Sequence, residues 1–279
     1  MSLEEYYLTR AEAEILTDNA ARLHDRFSDG GARAYELVEL GAGDGAKTKL
    51  LLAAATERGP SPTYRPVDIS ADILNELTGD LRRRFPALRL DPIAASYEEA
   101  LAGLPAASDV RRVVLFLGSN IGNFPLADAA QFCSKMTAAL RPGDLLLVGA
   151  DLRKDPRRIL RAYDDARGVT ARFALNLLHR ANRELGADFD LAAWGFYPLY
   201  NPETGEVRSY LWSRERQRVS IPQLGLERTF EPGEVIHVEV SRKYLPRELE
   251  RLAEACGCRQ VDRLTDREGL FADVLWEVT

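Results

Sequence analysis

The strongest constraint on this chain is an alternation, repeated from residue 34 to residue 152, of short apolar runs with amphipathic helical patterns. AYELVEL (34–40) passes through glycines into a helical pattern from Lys47 to Arg58. TYRPVDIS (63–70) leads into ADILNELTGDLRRRF, LRLDPIAA into SYEEALAGL, and RRVVLFLG into LADAAQFCSKMTAAL; GDLLLVGADL (143–152) closes the series. Near-continuous Val, Ile and Leu runs mark strands covered on both faces, and strands separated by helices pair in parallel. Five such strands predict a parallel sheet with helices on both sides and right-handed crossovers.

The rhythm changes after Leu152. A helical region over roughly 154–188 is followed by the alternating segments FYPLYN, VRSYLWSRERQRVSI and EVIHVEVSRKY. NPETGE between two of them is a hairpin signal. These segments predict an α+β unit inserted into the first domain. The helix PRELERLAEACG and the strands RQVDRLT and LFADVLWEV then return to the sheet. The expected division is 20–152 with 245–279 for the sheet domain, and 1–19 with 153–244 for the α+β domain.

A formal net charge of −6 argues against a generic polyanion binder, because neutralising phosphates needs a clustered basic surface. The basic runs LRRRF and LRKDPRRILR have helical spacing with acids nearby and read as solvated helix faces. Three cysteines cannot pair evenly, and Cys256 and Cys258 stand too close for an ordinary disulfide. They read as reduced thiols. The acidic start MSLEEYYLTRAEAEIL has no apolar signal region, and no run approaches the ~20 apolar residues of a membrane span. The expectation is a cytoplasmic protein with no membrane or nucleic-acid partner. His24, His179 and His237 join no ligand cluster, so no metal is expected.

Two junctions carry the chemistry. In ELGAGDGAKTKLLL the first strand ends at Glu39 and Leu40, and Gly41, Gly43 and Gly45 follow. Glycines there let backbone amides approach a ligand closely, and ligands of such sheets bind outside the carboxyl ends of the strands. An acid directly before the turn suits a cationic ligand better than a pyrophosphate, and Asp68 is placed to accept from a ribose diol. At the fourth strand, FLGSNIGNFP (116–125) breaks an apolar run into glycines and amides beside the same crevice. Five strands, an interruption, a helix and two more strands are similar to the class I methyltransferase order, a Rossmann-like seven-stranded sheet whose last two strands form an edge hairpin.

Eight ordered stretches resemble one family: EYYLTRAEAEIL, ELGAGDGAKTKLLL, YRPVDIS, FLGSNIGNFP, GADLRKDPRRILRAYDD, GVTARF, NRELGADFDL and VEVSRKY. They look like the histidine-specific S-adenosylmethionine-dependent methyltransferases, which make the trimethylated betaine of histidine and include relatives acting on tryptophan derivatives. The resemblance implies S-adenosylmethionine as cofactor, contacted by Gly41, Lys47 and Asp68, with Glu39, Gly43, Gly118 and Ser119 approaching it. Ser96 and Tyr97 fall where the family has an Asp–aromatic pair at the adenine; Ser96 departs from it.

For the acceptor, the resemblance implies that Asn123 and Tyr163 hold an amino-acid carboxylate through uncharged donors. It likewise implies that Glu239 and Ser241 read an imidazole and that Tyr7 adds a further substrate-side tyrosine. Ser209 stands where the histidine enzymes tend to have methionine, while Phe196 and Asn120 replace a histidine and a threonine. The family usually carries several dozen residues before EYYLTR, so a partner chain completing the pocket is a further expectation. The implied reaction is attack of a neutral amine on the sulfonium methyl, with Tyr7 or Tyr163 stabilising the growing cation through its ring. No general base is assigned. The acceptor is a histidine-like amino acid; another small amine of a biosynthetic pathway and a non-catalytic cofactor-binding role stay open.

Overall fold

In the strand YELVEL every residue is buried, two glutamates included, so this segment must lie at the centre of a sheet with its charges paired internally. Glu36 accepts from Arg112 Nε at 2.7 Å and from Arg65 Nε at 3.0 Å. The computed structural model describes residues 5–59, 61–104 and 110–279. In chain order the first elements are α1 (Leu8–Ser28), β1 (Tyr35–Leu40), α2 (Thr48–Arg58), β2 (Thr63–Asp68), α3 (Ala71–Arg84), β3 (Arg89–Leu90) and β4 (Ile93–Ala94). Next come α4 (Tyr97–Ala102), β5 (Arg111–Phe116), α5 (Leu126–Ala138), β6 (Leu145–Asp151), α6 (Pro156–Tyr163) and α7 (Val169–Leu185). The last are β7 (Trp194–Asn201), β8 (Glu206–Ser213), β9 (Gln217–Ile221), β10 (Leu226–Phe230), β11 (Val235–Arg242), α8 (Pro246–Ala255), β12 (Cys258–Thr265) and β13 (Phe271–Val278).

The chain divides into two compact units, one of Leu8–Arg153 with Tyr244–Thr279, the other of Met1–Tyr7 with Lys154–Lys243. The first is built on a sheet ordered β12-β13-β6-β5-β1-β2-β3. β6, β5, β1, β2 and β3 run parallel, while β13 is antiparallel to both β6 and β12. These are the seven expected positions, with one change. LRLDPIAA forms two short strands, β3 and β4, both on β2. Pro92 between them has no N–H to donate to a ladder, which splits the pairing there.

Helix α1 belongs wholly to this unit, so its boundary lies at Leu8 rather than at residue 20. The reason is its continuous apolar stripe, Leu8, Ala11, Ile15, Leu16, Ala20, Leu23 and Phe27, all buried. The insertion leaves and rejoins this unit at adjacent points: Arg153 N–H donates to Tyr244 O at 2.9 Å, and Tyr244 N–H to Asp151 O at 2.8 Å.

The second unit carries the antiparallel sheet β11-β8-β7 and the hairpin β10-β9. Leu178 of α7 joins Phe189, Trp194, Leu211, Val219 and Phe230 in its core. NPETGE forms the β7–β8 turn, where Gly205 takes φ 76° and donates to Asn201 O at 2.8 Å. The structure differs from expectation twice here. The helical region is broken at 164–168, because the Asp165 carboxylate accepts from Val169 N–H (2.9 Å) and Thr170 N–H (2.7 Å) and starts a new helix. VRSYLWSRERQRVSI is not one strand: Ser213 Oγ donates to Glu215 O at 2.7 Å and folds a turn that sends β8 and β9 to different sheets.

Candidate functional site

The glycine turn after β1 is held open by its neighbours. Gly41 takes φ 78°, and a Cβ there would stand 2.7 Å from Tyr97 Oη, so only glycine lets the tyrosine close over the turn. Gly43 N–H donates to Asp68 Oδ2 at 3.1 Å, and Ser70 N–H to Asp68 Oδ1 at 3.0 Å. These two amides hold the carboxylate at the end of β2 and leave lone pairs on both oxygens for a ligand. Tyr97 lies close enough that burial, and then the Asp68 charge, raise its phenol pKa.

Gly41, Asp68, Ile69, Ala95, Ser96, Tyr97 and Glu98 line one cavity of about 250 Å³. Four expected cofactor residues, Gly41, Asp68, Ser96 and Tyr97, therefore share a wall. Ser96 begins α4 in a reciprocal cap: Glu99 N–H donates to its Oγ (3.3 Å), and its own N–H to Glu99 Oε2 (3.0 Å). Its Oγ also donates to Glu99 Oε2 at 2.7 Å, so its first role is to place Tyr97 at the helix start. Ile69 was not anticipated. Its large aliphatic side chain, directly after Asp68, stands 83% exposed, which only the structure reveals.

Glu39 and Lys47 face a different environment. The Glu39 carboxyl is buried and accepts from Tyr64 Oη. Burial pushes its pKa up to about 7, against the lowering effects of Tyr64 and the Lys47 charge. Burial thus works against the charged form expected there beside a cation. Lys47 pairs with Glu12, a fully buried α1 residue that sequence reasoning passed over. Glu12 Oε1 also accepts from Gly118 N–H at 2.7 Å.

The FLGSNIGNFP junction is pinned by three such contacts. Besides the Gly118 contact, Asp151 N–H donates to Ser119 Oγ at 3.0 Å, and Tyr244 Oη donates to Ile121 O at 3.0 Å. Ser119 is buried and left-handed (φ 59°, ψ 26°), a conformation a non-glycine residue keeps only when its surroundings fix it. Its hydroxyl oxygen accepts from the β6 backbone at Asp151. Asn120–Asn123 form a 3-10 turn, and Asn123 is exposed at its end.

In the second unit Tyr163, Ser241 and Lys243 form a buried triad. Tyr163 Oη donates to Ser241 Oγ at 2.7 Å, and Lys243 Nζ donates to both, at 2.6 and 2.8 Å. Glu239 stands opposite Ser209 in the β8–β11 register, just past a bulge at His237/Glu239. Ser209 Oγ is buried with no hydrogen-bond partner in the structure. Glu239 is accessible, yet surrounding protein raises its pKa, with Lys243 and His237 pulling the other way. Tyr7 accepts from Lys154 Nζ at 2.7 Å. The Lys154 ammonium also lies 4.3 Å from the Tyr7 ring centroid, and Lys243 lies 4.7 Å from that of Tyr163. Each ring expected to meet a growing cation already faces a lysine of its own.

Thus Gly41, Gly43, Asp68, Ser96 and Tyr97 come together in the first unit, with buried Glu39 and Ser119 and half-buried Lys47 and Gly118 beside them. Ser209, Glu239, Ser241 and Tyr163 belong to the second unit, as does Tyr7; Asn123 stays with the first. The family model of histidine-specific, S-adenosylmethionine-dependent methyltransferases matches residues 1–278. Histidine N-alpha-methyltransferase of Mycobacterium tuberculosis is 39% identical over 269 residues, covering 96% of this chain and 82% of that protein. The enzyme of the same name from Mycolicibacterium smegmatis is 41% identical over 270 residues, with the same coverage. Ergothioneine biosynthesis protein 1 of Neurospora crassa is 32% identical over 94% of this chain and 29% of its own length. Among solved structures, magnesium protoporphyrin IX methyltransferase of Synechocystis with bound S-adenosylmethionine gives a TM-score of 0.52 at 10% identity, covering 100% of this chain and 86% of that one.

Proposed function

Because the chain belongs to the histidine-specific, S-adenosylmethionine-dependent methyltransferases, we propose that its methyl acceptor is the α-amino nitrogen of histidine. The carrying observation is the cluster of Glu239 and Ser241 beside Tyr163: an acceptor-only carboxylate and a hydroxyl two residues along one strand suit a ring with two nitrogens. The mycobacterial relatives named for this activity support the reading.

The lining of the first unit's cavity supports a place for the adenosine part of the cofactor. Asp68 keeps lone pairs for a diol, and Tyr97 and Ile69 offer apolar cover to a purine, while the Gly41, Ala42 and Gly43 amides hold the turn itself by donating to Val67 O and Asp68. Bound there, S-adenosylmethionine supplies a methyl group on a positively charged sulfur that a neutral amine displaces. The remaining tasks fall to the chain: on this reading Lys47 and Asp68 are assigned to the cofactor, Asn123 to the amino-acid carboxylate, and Glu239 with Ser241 to the ring, while Tyr163 gives its one proton to Ser241. Alignment and exclusion of water account for the acceleration such a site needs.

The test is methyl transfer from labelled cofactor to a panel of amino acids and amines, read by mass spectrometry. Histidine is expected to be methylated at its α-nitrogen; turnover of other panel members alone would sink the proposal. A second reading rests on Ser209, whose buried hydroxyl has no partner. It favours a related acceptor carrying one more polar group. Histidine turnover rising on Ser209→Met, with another acceptor preferred by the natural chain, is the result that selects this reading.

A further inference from the structure

Lys243 is fully buried, 0% exposed, directly after β11. Its ammonium can only donate, whereas a hydroxyl has one proton and two lone pairs. Ser241 Oγ receives one hydrogen bond from Lys243 and one from Tyr163. Both its lone pairs are used, and what it can offer a ligand is its own proton. Residues 239 and 241 project from the same face of the strand, because side chains alternate with period two. An acceptor-only carboxylate and a donor-only hydroxyl therefore stand side by side.

We infer that Lys243 is a positioning residue that sets the hydrogen-bond polarity of Ser241. The site thereby admits a ring with one N–H and one unprotonated nitrogen, a neutral azole, and rejects a ring without the accepting nitrogen. This rests on the histidine reading and sharpens it: the imidazole is taken up neutral, with its proton on the nitrogen facing Glu239. Without Lys243 the Ser241 hydroxyl is free to turn, and the distinction weakens. A site built to pair with a polar ring discriminates strongly, because an apolar ring leaves buried groups unpaired.

The experiment uses the full chain loaded with S-adenosylhomocysteine and measures calorimetric Kd values for histidine and for β-(2-thienyl)alanine. The latter has a five-membered ring of similar size without N–H or basic nitrogen. Wild type is expected to prefer histidine by roughly a hundredfold or more. Lys243→Met is expected to weaken histidine binding about tenfold and thienylalanine less than about twofold, narrowing the preference. In a Ser241→Ala background, Lys243→Met is expected to add less than about twofold, since the lysine acts through the hydroxyl.

An unchanged preference in Lys243→Met, or equal losses for both ligands, overturns the inference. Should the Met variant fail to bind S-adenosylmethionine and so prove misfolded, Lys243→Gln decides in its place. Its amide both donates and accepts, so the preference must narrow there too; an undiminished preference overturns the inference. Wild type that methylates other panel acceptors but neither binds nor methylates histidine brings down the parent reading, and this one with it. Histidine turnover by wild type with a Lys243-independent preference brings down only this one.

Discussion

Glu12 holds Lys47 with one carboxylate oxygen while the other accepts from Gly118 N–H at 2.7 Å. One side chain of the first helix thus ties together two segments that sequence motifs assign to the cofactor. The contact is buried on the Glu12 side, where its side chain has 0% exposure, and open on the Lys47 side at 23%. The ammonium is steered from beneath and stays reachable from outside.

Replacing Glu12 by Gln keeps an oxygen for Gly118 but removes the charge that holds Lys47. The expected result is about tenfold weaker binding of S-adenosylmethionine, on the scale of one charge-assisted hydrogen bond. Calorimetry on the purified variant measures it. Cofactor affinity equal to wild type would show that Lys47 needs no such support.

Gly41 is constrained twice, by φ 78° and by Tyr97 Oη at 2.7 Å from where a Cβ would stand. Gly41→Ala should cost cofactor affinity by about tenfold or more. Removing the hydroxyl in Gly41→Ala/Tyr97→Phe relieves the collision but not the backbone strain, so the double variant should regain part of the loss. Strictly additive losses would place the two residues apart in function.

Glu39 gives a pH signature. Its ordinary pKa of 4.5 is pushed up to about 7 by burial, so the folded chain binds a proton there that the unfolded chain has released. A group raised in this way makes the folded state less stable as pH climbs from about 4.5 to about 7. Glu39→Gln removes this dependence while still accepting from Tyr64. The Tm of the variant should therefore exceed that of wild type by roughly 5 °C at pH 8, with the gap closing toward pH 4.5. Differential scanning calorimetry across that range reads it, and a gap constant with pH would refute the burial argument.

Asn123 is exposed at the end of its 3-10 turn, so its replacement disturbs no core. On the proposed reading, Asn123→Ala raises the KM for histidine about tenfold, consistent with a lost hydrogen bond to a carboxylate, while the Kd for S-adenosylmethionine stays within about twofold. Parallel loss of both would end the division of that loop into a cofactor half and an acceptor half.

Much of this organisation was legible in the chain itself. The apolar runs VVLF of β5 and LLLV of β6 have no alternation to confuse them, and the glycines after β1 follow from the close approach they permit. What escaped notice was polar and buried. Glu12 lies on the same helical stripe as Leu8, Ile15 and Leu16, which is the signal that its carboxylate points inward. Lys243 continues the two-residue spacing of Glu239 and Ser241, yet a lysine ending a strand reads as a solvated cap until its partners are known. The break at Asp165 and the split of β8 from β9 depend on single side-chain hydrogen bonds, which periodicity does not register.

The place of β13 has a consequence for biogenesis. It lies between β6 and β12, so the sheet is sealed by a segment translated after the whole inserted unit. Until Phe271–Val278 leaves the ribosome, the buried edge of LLLVGAD has no antiparallel partner. Nascent chains halted in the insertion should carry an adhesive strand edge, the kind of surface that recruits chaperones or seeds aggregation. For this protein the vulnerable interval of synthesis is long, and it ends only with β13, the last of these strands in chain order.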